Sequence, residues 1–255
     1  MSTADERMRE NYAHCAGLVR DQDHDRWLAS LFAPAERRPH LHALYAFDRE
    51  VALVPHRVNE ALAGEMRLQW WRDALAGEAR GDANAHPVAA ALLDTIARCA
   101  LPLEGLNALI DARALDLYDD PLSTLAELEL YGRRTASTVF TLAARILDRA
   151  ASVDEVAGPA GIAATLTAAL QQVAHPRFSV IAPADLRVRA REAFEQARQK
   201  WPVVSLAARP TFLTLALVAA VLARSERNPD PARVGALSPW RRQWLIWRAA
   251  RRGMF

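Results

Sequence analysis

Apolar residues return every third or fourth position along most of this chain, a period that fits helix rather than strand. Leu44, Phe47, Val51 and Val54 keep that spacing, and so do Leu62, Met66 and Trp70. Only 10 glycines occur among 255 residues, few for a strand-rich fold built on tight turns. Alanine, leucine and arginine, all strong helix formers, are abundant. The pattern predicts helices over 4–20, 25–33, 35–54, 58–79, 86–100, 103–117, 121–149, 153–175, 183–200, 209–225 and 238–252. Pro55 should end the helix before it, and Pro34 and Pro121 suit first turns. Asn59 and Ser152 are candidate caps. Residues 177–184 read as a loop. Residues 226–255 read as a short linker, with Pro229, Pro231 and Gly235, and then an amphipathic C-terminal helix. No repeat divides the chain, so one all-α domain over 1–255 is the economical expectation.

Composition narrows the function classes. The hydrophobic fraction is 51% and the charged fraction 24%, enough for an ordinary globular core. A net charge of +2 gives no reason to expect nucleic acid as a partner. Cys15 and Cys99 are isolated, which suggests free thiols in a reducing compartment. The first fifteen residues are polar and mixed in charge, unlike a secretory or transit leader, so a cytoplasmic location is expected. No apolar run reaches the length of a membrane span. Nucleophile-elbow, P-loop, dinucleotide-binding and zinc-spaced cysteine motifs are all missing.

Three segments carry a family resemblance. The first holds Trp27 to Phe32, Pro34 to Arg38 and the run Leu41 to Arg49 (LHALYAFDR). The second spans Asp111 to Leu147, with Asp116-Leu117, Tyr131 and Thr135 to Val139. The third is Gly161 to Val173. In this order they resemble the squalene/phytoene synthase family. That likeness implies an isoprenoid synthase-like helical bundle around a central cavity. It also implies two aspartate-rich motifs on facing helices. Carboxylates at i and i+4 share a helix face, and two such faces hold Mg²⁺ against a substrate diphosphate. At the matching positions this chain has Ala52 and His56, then Gln172 and Pro176. An alanine and neutral side chains cannot replace hard anionic oxygen ligands. The resemblance therefore implies no catalytic residues, no metal site and no cofactor, with Mg²⁺ expected only if the chain is a synthase after all. Gly64 to Trp71 (GEMRLQWW) is similar to a non-catalytic branch of that family, the mitochondrial complex I assembly factors.

Candidate functional residues follow from both readings. Tyr45, Arg49 and Tyr131 come with the family segments. Arg67, Gln69 and Trp70 line the inherited cavity or a partner surface, unless the tryptophans are core. Gln171 and Gln172 are candidates to hydrogen-bond a ligand's polar end, the alternative being that they satisfy buried backbone or each other. His56 and His175 fall at or beside facing motif positions, but two imidazoles fall short of a metal site. His40 and His42 diverge on a helix. Asp111, Asp116, Asp119 and Asp120 read as a solvated acidic turn or a residual site for a metal or basic partner. In the last helix Trp240, Trp244 and Trp247 are interleaved with Arg241 and Arg248. The indoles are expected to pack on the bundle, the alternative being contact with a membrane surface such as the inner membrane's inner face. The leading functional expectation is a non-catalytic scaffold that binds a respiratory complex subunit or assembly protein, or an apolar ligand. The alternatives are a prenyl diphosphate transferase and a lipid or quinone carrier.

Overall fold

The helices begin and end where local chemistry lets them. The computed structural model describes residues 3–79, 81–118, 122–172, 180–228 and 237–255. Helix α1 (Thr3–Gln22) has Asp5 and Glu6 in its first turn and Arg20 in its last, matching the helix dipole. The Asp23 carboxylate caps α2 (His24–Ser30) by accepting from the Arg26 amide. Helix α3 (Arg38–Leu53) starts three residues later than expected, with Pro39 in its first turn and Pro34 in the turn ahead. Pro55 does end it, opening a 3₁₀ turn, Pro55–Arg57. Helix α4 (Ala61–Ala76) has Glu60 at its N-cap without a side-chain bond, so Asn59 does not cap it. It stops at Gly77, whose φ of 77° suits glycine. Helix α5 (Pro87–Cys99) is capped by the His86 ring, and α6 (Leu103–Ala114) runs into a 3₁₀ turn, Leu115–Leu117.

The single helix expected over 121–149 is broken into parts. Helix α7 (Leu125–Gly132) opens on a capping box between Thr124 and Glu127. A π turn, Arg133–Ser137, leads into α8 (Thr138–Leu147). Hydroxyls loosen the ladder there: Thr135 Oγ1 donates to the Tyr131 carbonyl at 2.7 Å and Thr138 Oγ1 to that of Arg133 at 3.1 Å. Helix α9 (Asp154–Gln171) follows Val153 at its N-cap, so Ser152 is not the cap. Helices α10 (Pro183–Gln199), α11 (Leu215–Arg227) and α12 (Pro239–Arg252) complete the chain. Among the described residues there is no strand. The expectations for Pro121, Asp119, Asp120, His175, Pro176 and most of the 226–237 linker fall outside the described residues.

Packing gathers the helices around three apolar clusters. Leu44, Phe47, Leu68, Trp71, Leu92 and Leu109 centre the first, joining α3 to α6. Leu166, Leu170, Leu186, Phe194 and Phe212 centre the second, where α10 and α11 meet α9. Leu213, Leu217, Val221 and Ile246 tie α12 to α11. Helix α9 comes unusually close to the π turn. A Cβ on Gly161 would stand 2.2 Å from the Ser137 amide nitrogen, and Ser137 Oγ donates to the Gly158 carbonyl at 2.9 Å. This contact fixes two walls of the cavity described below.

One buried histidine gives a pH signature. His42 is 7% exposed, and burial, helped by Arg38, holds its pKa down to about 4. Ser30 Oγ donates to the Trp27 carbonyl, so it accepts from His42 Nε2–H. The folded state thus keeps a neutral ring while the unfolded chain takes a proton near pH 6.5. Stability is full above that pH and falls as pH drops from about 6.5 to 4, by roughly 2–3 kcal/mol from this ring. Urea melts at pH 7 and pH 4.5 check it, and His42→Gln should shrink the difference between them.

Candidate functional site

A cavity of about 520 Å³ opens between α2, α3, α6, α7–α8, α9 and α11. Its volume lies within the range of small-molecule sites. One wall is apolar, from Val139, Phe140, Ala164, Leu217 and Val221. The other end is charged, with Asp23, Asp25, Arg26, Asp48, Arg113 and Arg242.

These charges hold one another. Asp48, 3% exposed, lies on α3 between two arginines. Its Oδ2 accepts from Arg26 at 2.8 Å and its Oδ1 from Arg113 at 3.3 Å. Arg26 also reaches Asp23 at 2.5 Å and lies 4.9 Å over the Tyr45 ring. Arg113 donates to the Tyr131 hydroxyl at 2.6 Å, and that hydroxyl donates to Asp116 at 2.7 Å. At the cavity rim Arg242 of α12 grips Asp25 through two nitrogens, one at 2.8 Å. Burial pushes the Asp48 carboxyl up, but Arg26 and then Arg113 outweigh it and hold it below the usual carboxylate range. Burial drives the Tyr45 hydroxyl well above its ordinary value, so the ring stays protonated.

Among the described residues that line the cavity, three buried side-chain atoms have no hydrogen-bond partner. Thr167 Oγ1, Thr211 Oγ1 and Arg113 Nε are buried and have no partner. Both threonines are 3% exposed and line the cavity.

The structure sorts the sequence candidates. Tyr45, Tyr131, Gln171 and Gln172 all line the cavity. Arg49, His56, Arg67, Gln69 and Trp70 do not line it. Helix α4 packs through Leu68, Trp71 and Leu75, which turns Arg67 and Gln69 outward. Gln69 bonds Asp73 at 2.7 Å, and Trp70 lies against Trp71 and His86. His56 is exposed in the turn that Pro55 forces. His40 meets Tyr12 and Thr95 while His42 meets Ser30, so the two do diverge. The two described members of the acidic cluster have different partners: Asp111 pairs with Arg72 at 2.7 Å, Asp116 with Arg113 and Tyr131. Packing of the α12 indoles does not occur. Trp240, Trp244 and Trp247 are 82%, 51% and 51% exposed. The helix buries Ile246 and Ala249 instead, because Arg242 pins that face toward α2. Arg248 and Arg251 lie over Trp244 and Trp247 at 5.0 and 5.6 Å.

Asp48, Arg26 and Arg113 escape a sequence reading. The available signal is one carboxylate inside the otherwise buried apolar run from Leu41 to Phe47 and beyond. A lone buried acid requires a partner, but Arg26 and Arg113 lie 22 and 65 positions away, too far for any local rule to find.

The motif positions do not suit Mg²⁺. Ala52 has no donor, His56 lies outside the cavity and Gln172 is a neutral amide. The three cavity aspartates are each bound to an arginine. Among the described residues no three His, Cys, Asp or Glu side chains converge as a metal site.

A family model described as squalene/phytoene synthase matches residues 19–177. The chain belongs to the squalene/phytoene synthase family. A dehydrosqualene synthase crystal structure superposes with a TM-score of 0.78 at 18% identity, covering 97% of this chain and 98% of that one. Squalene synthase HpnC from Alicyclobacillus acidocaldarius gives 0.71 at 24% identity, over 86% and 94%. Both show the isoprenoid synthase-like fold of the family. Within it, the curated relatives include "NADH dehydrogenase (ubiquinone) complex I, assembly factor 6" of Homo sapiens, 34% identical over 52% of this chain and 40% of that protein. The Rattus norvegicus protein of the same name is 33% identical, over 54% and 41%. A 15-cis-phytoene synthase of Synechocystis is 26% identical, over 55% and 41%. The chain thus matches about two-fifths of the length of these family members.

Proposed function

We propose that this chain is a non-catalytic member of its family that serves the assembly of respiratory complex I, binding a complex subunit or another assembly protein. One observation carries the loss of catalysis. Among the described residues, every aspartate and arginine lining the cavity is bound to another of opposite charge. Diphosphate departure needs free carboxylates to carry metal and free cations to meet the leaving charge, and these groups are already committed to each other. The relatives named as complex I assembly factors supply the direction. The exposed face of α4, with Arg67 and Gln69, is the surface offered to the partner. Deleting the gene from its native cell should lower the amount of assembled NADH:quinone oxidoreductase and its activity, both restored by the wild-type gene. Normal assembly in the deletion strain would refute the proposal.

The exposed indoles of α12 support a second element, attachment to the inner face of the inner membrane. No helix among the described residues is long and apolar enough to cross a bilayer. Trp240, Trp244 and Trp247 offer amphipathic rings at the headgroup level, and Arg241, Arg248, Arg251 and Arg252 suit an anionic surface. In sedimentation with phosphatidylglycerol vesicles, replacing all three tryptophans by alanine should weaken binding by about tenfold or more. Equal binding by wild type and variant would remove this element.

A further inference from the structure

We propose that Arg224, Arg227 and Arg241, with Asn228, form a binding site for the phosphodiester of an anionic phospholipid headgroup. This rests on the reading that α12 lies on a membrane surface, and it names the lipid group which that surface presents.

The four residues line a cleft of about 320 Å³ between the end of α11 and the start of α12. Its lining carries three guanidinium groups and no carboxylate. Among the described residues none of these arginines has an ion pair, and Arg227 alone gives a side-chain N–H to the fold, from Nε to the Ala223 carbonyl at 3.1 Å. Glu226, beside Arg227 in the chain, is held by Arg191 of α10 at 2.7 Å. The arginines of the central cavity are different, since each of them binds an aspartate.

Helix dipoles account for two of the three charges and oppose the third. Arg224 and Arg227 stand in the last turn of α11, where a cation offsets the negative end of the helix. Arg241 stands in the first turn of α12, the positive end, where a cation is unfavourable. That turn has no acidic residue, and Ser238 makes no side-chain bond at the N-cap. A bound anion would balance this excess of positive charge.

Phosphate suits the donors. Guanidinium forks bind phosphate oxygens through paired N–H bonds, and the Asn228 amide can add another donor. Two tryptophans favour a lipid over a free ion. Trp240 precedes Arg241 and is 82% exposed, and Trp244 follows three positions later at 51%. Exposed indoles beside a phosphate site fit the headgroup layer of a bilayer, where phosphate and acyl chain adjoin.

Soluble lipids test the site without the field of a whole bilayer. Dihexanoyl phosphatidylglycerol, dihexanoyl phosphatidylcholine and inorganic phosphate are titrated into the full chain by calorimetry, with both lipids kept below micelle formation. Phosphatidylglycerol should bind about tenfold tighter than phosphatidylcholine, whose choline brings a cation to a cationic cleft, and about tenfold tighter than phosphate. Arg224→Gln with Arg227→Gln and Arg241→Gln should abolish the preference for phosphatidylglycerol. Arg241→Gln alone, at an exposed position, should already reduce it severalfold. Taking the same charge from α1 by Arg7→Gln, Arg9→Gln and Arg20→Gln, all exposed, should leave it intact. Equal binding of the two lipids overturns the proposal, as does phosphate that binds as tightly as phosphatidylglycerol. A preference that survives the triple change in the cleft, or that is lost with the α1 changes, also overturns it. Sedimentation of the wild-type chain with phosphatidylglycerol vesicles separates the two readings. If the chain sediments but the soluble lipid does not bind, the site falls and membrane attachment stands. If neither occurs, both fall together.

Discussion

Replacing Asp48 by alanine is expected to lower stability by about 3–5 kcal/mol, the usual result of removing one partner from a buried ion network. Asp48 is shared by Arg26 and Arg113, whose side chains are only 22% and 19% exposed. The variant leaves both guanidinium groups beside an apolar core with a reduced complement of anions. Asp23 and Asp116 keep one each, which sets the lower end of the range. Urea melts at pH 7 should show the midpoint fall with an unchanged slope. The pH dependence has a defined sign. The folded Asp48 carboxyl titrates below its ordinary value of about 3.9. Its contribution is complete above that value and is lost as pH falls through the lower, folded pKa. Wild type and variant should therefore converge in strong acid. A loss under 1 kcal/mol at pH 7 would mean that the arginines find other partners.

The second large effect is at Gly161. An added Cβ would stand 2.2 Å from both the amide nitrogen and Oγ of Ser137 and 2.6 Å from its Cα. Two of those atoms are backbone, held in the π turn, and cannot rotate away. Gly161→Ala should cost about 3 kcal/mol, at the upper end of overpacking. Helix propensity alone predicts the opposite sign, a gain of up to about 1 kcal/mol for glycine to alanine. Gly158, three residues earlier, isolates the two effects. Its Cβ would meet only an Arg133 guanidinium nitrogen, at 3.8 Å. Gly158→Ala should therefore be neutral or stabilising in the same urea melts. Because the Gly161 contact sets the walls of the cavity, the first variant should also weaken any ligand that binds there.

The limits of the sequence follow from the range of its signals. Helical period and proline punctuation are local, so ten of the eleven expected stretches each hold one α-helix among the described residues, and Pro55 stops α3 as expected. Caps were less legible: Glu60 and Val153 occupy positions where Asn59 and Ser152 had better chemistry. The π turn is hidden because hydroxyls of Thr135 and Thr138 act on carbonyls that a periodic pattern treats as ordinary. At the cavity, Tyr45, Tyr131, Gln171 and Gln172 were found through family order. The network around Asp48 was not, because each of its bonds joins distant segments. The α12 tryptophans show the reverse error. Their spacing marks one helix face, but a period cannot tell whether that face meets protein or solvent.

In the proposed reading, the electrostatic pairing that stabilises the cavity also leaves no free groups for ionising a prenyl diphosphate. The direct measurement is pyrophosphate release from farnesyl or geranylgeranyl diphosphate by the pure chain with Mg²⁺. No release above the protein-free blank, and no C30 or C40 hydrocarbon, is the predicted result. Magnesium-dependent release that rises with protein concentration would contradict it.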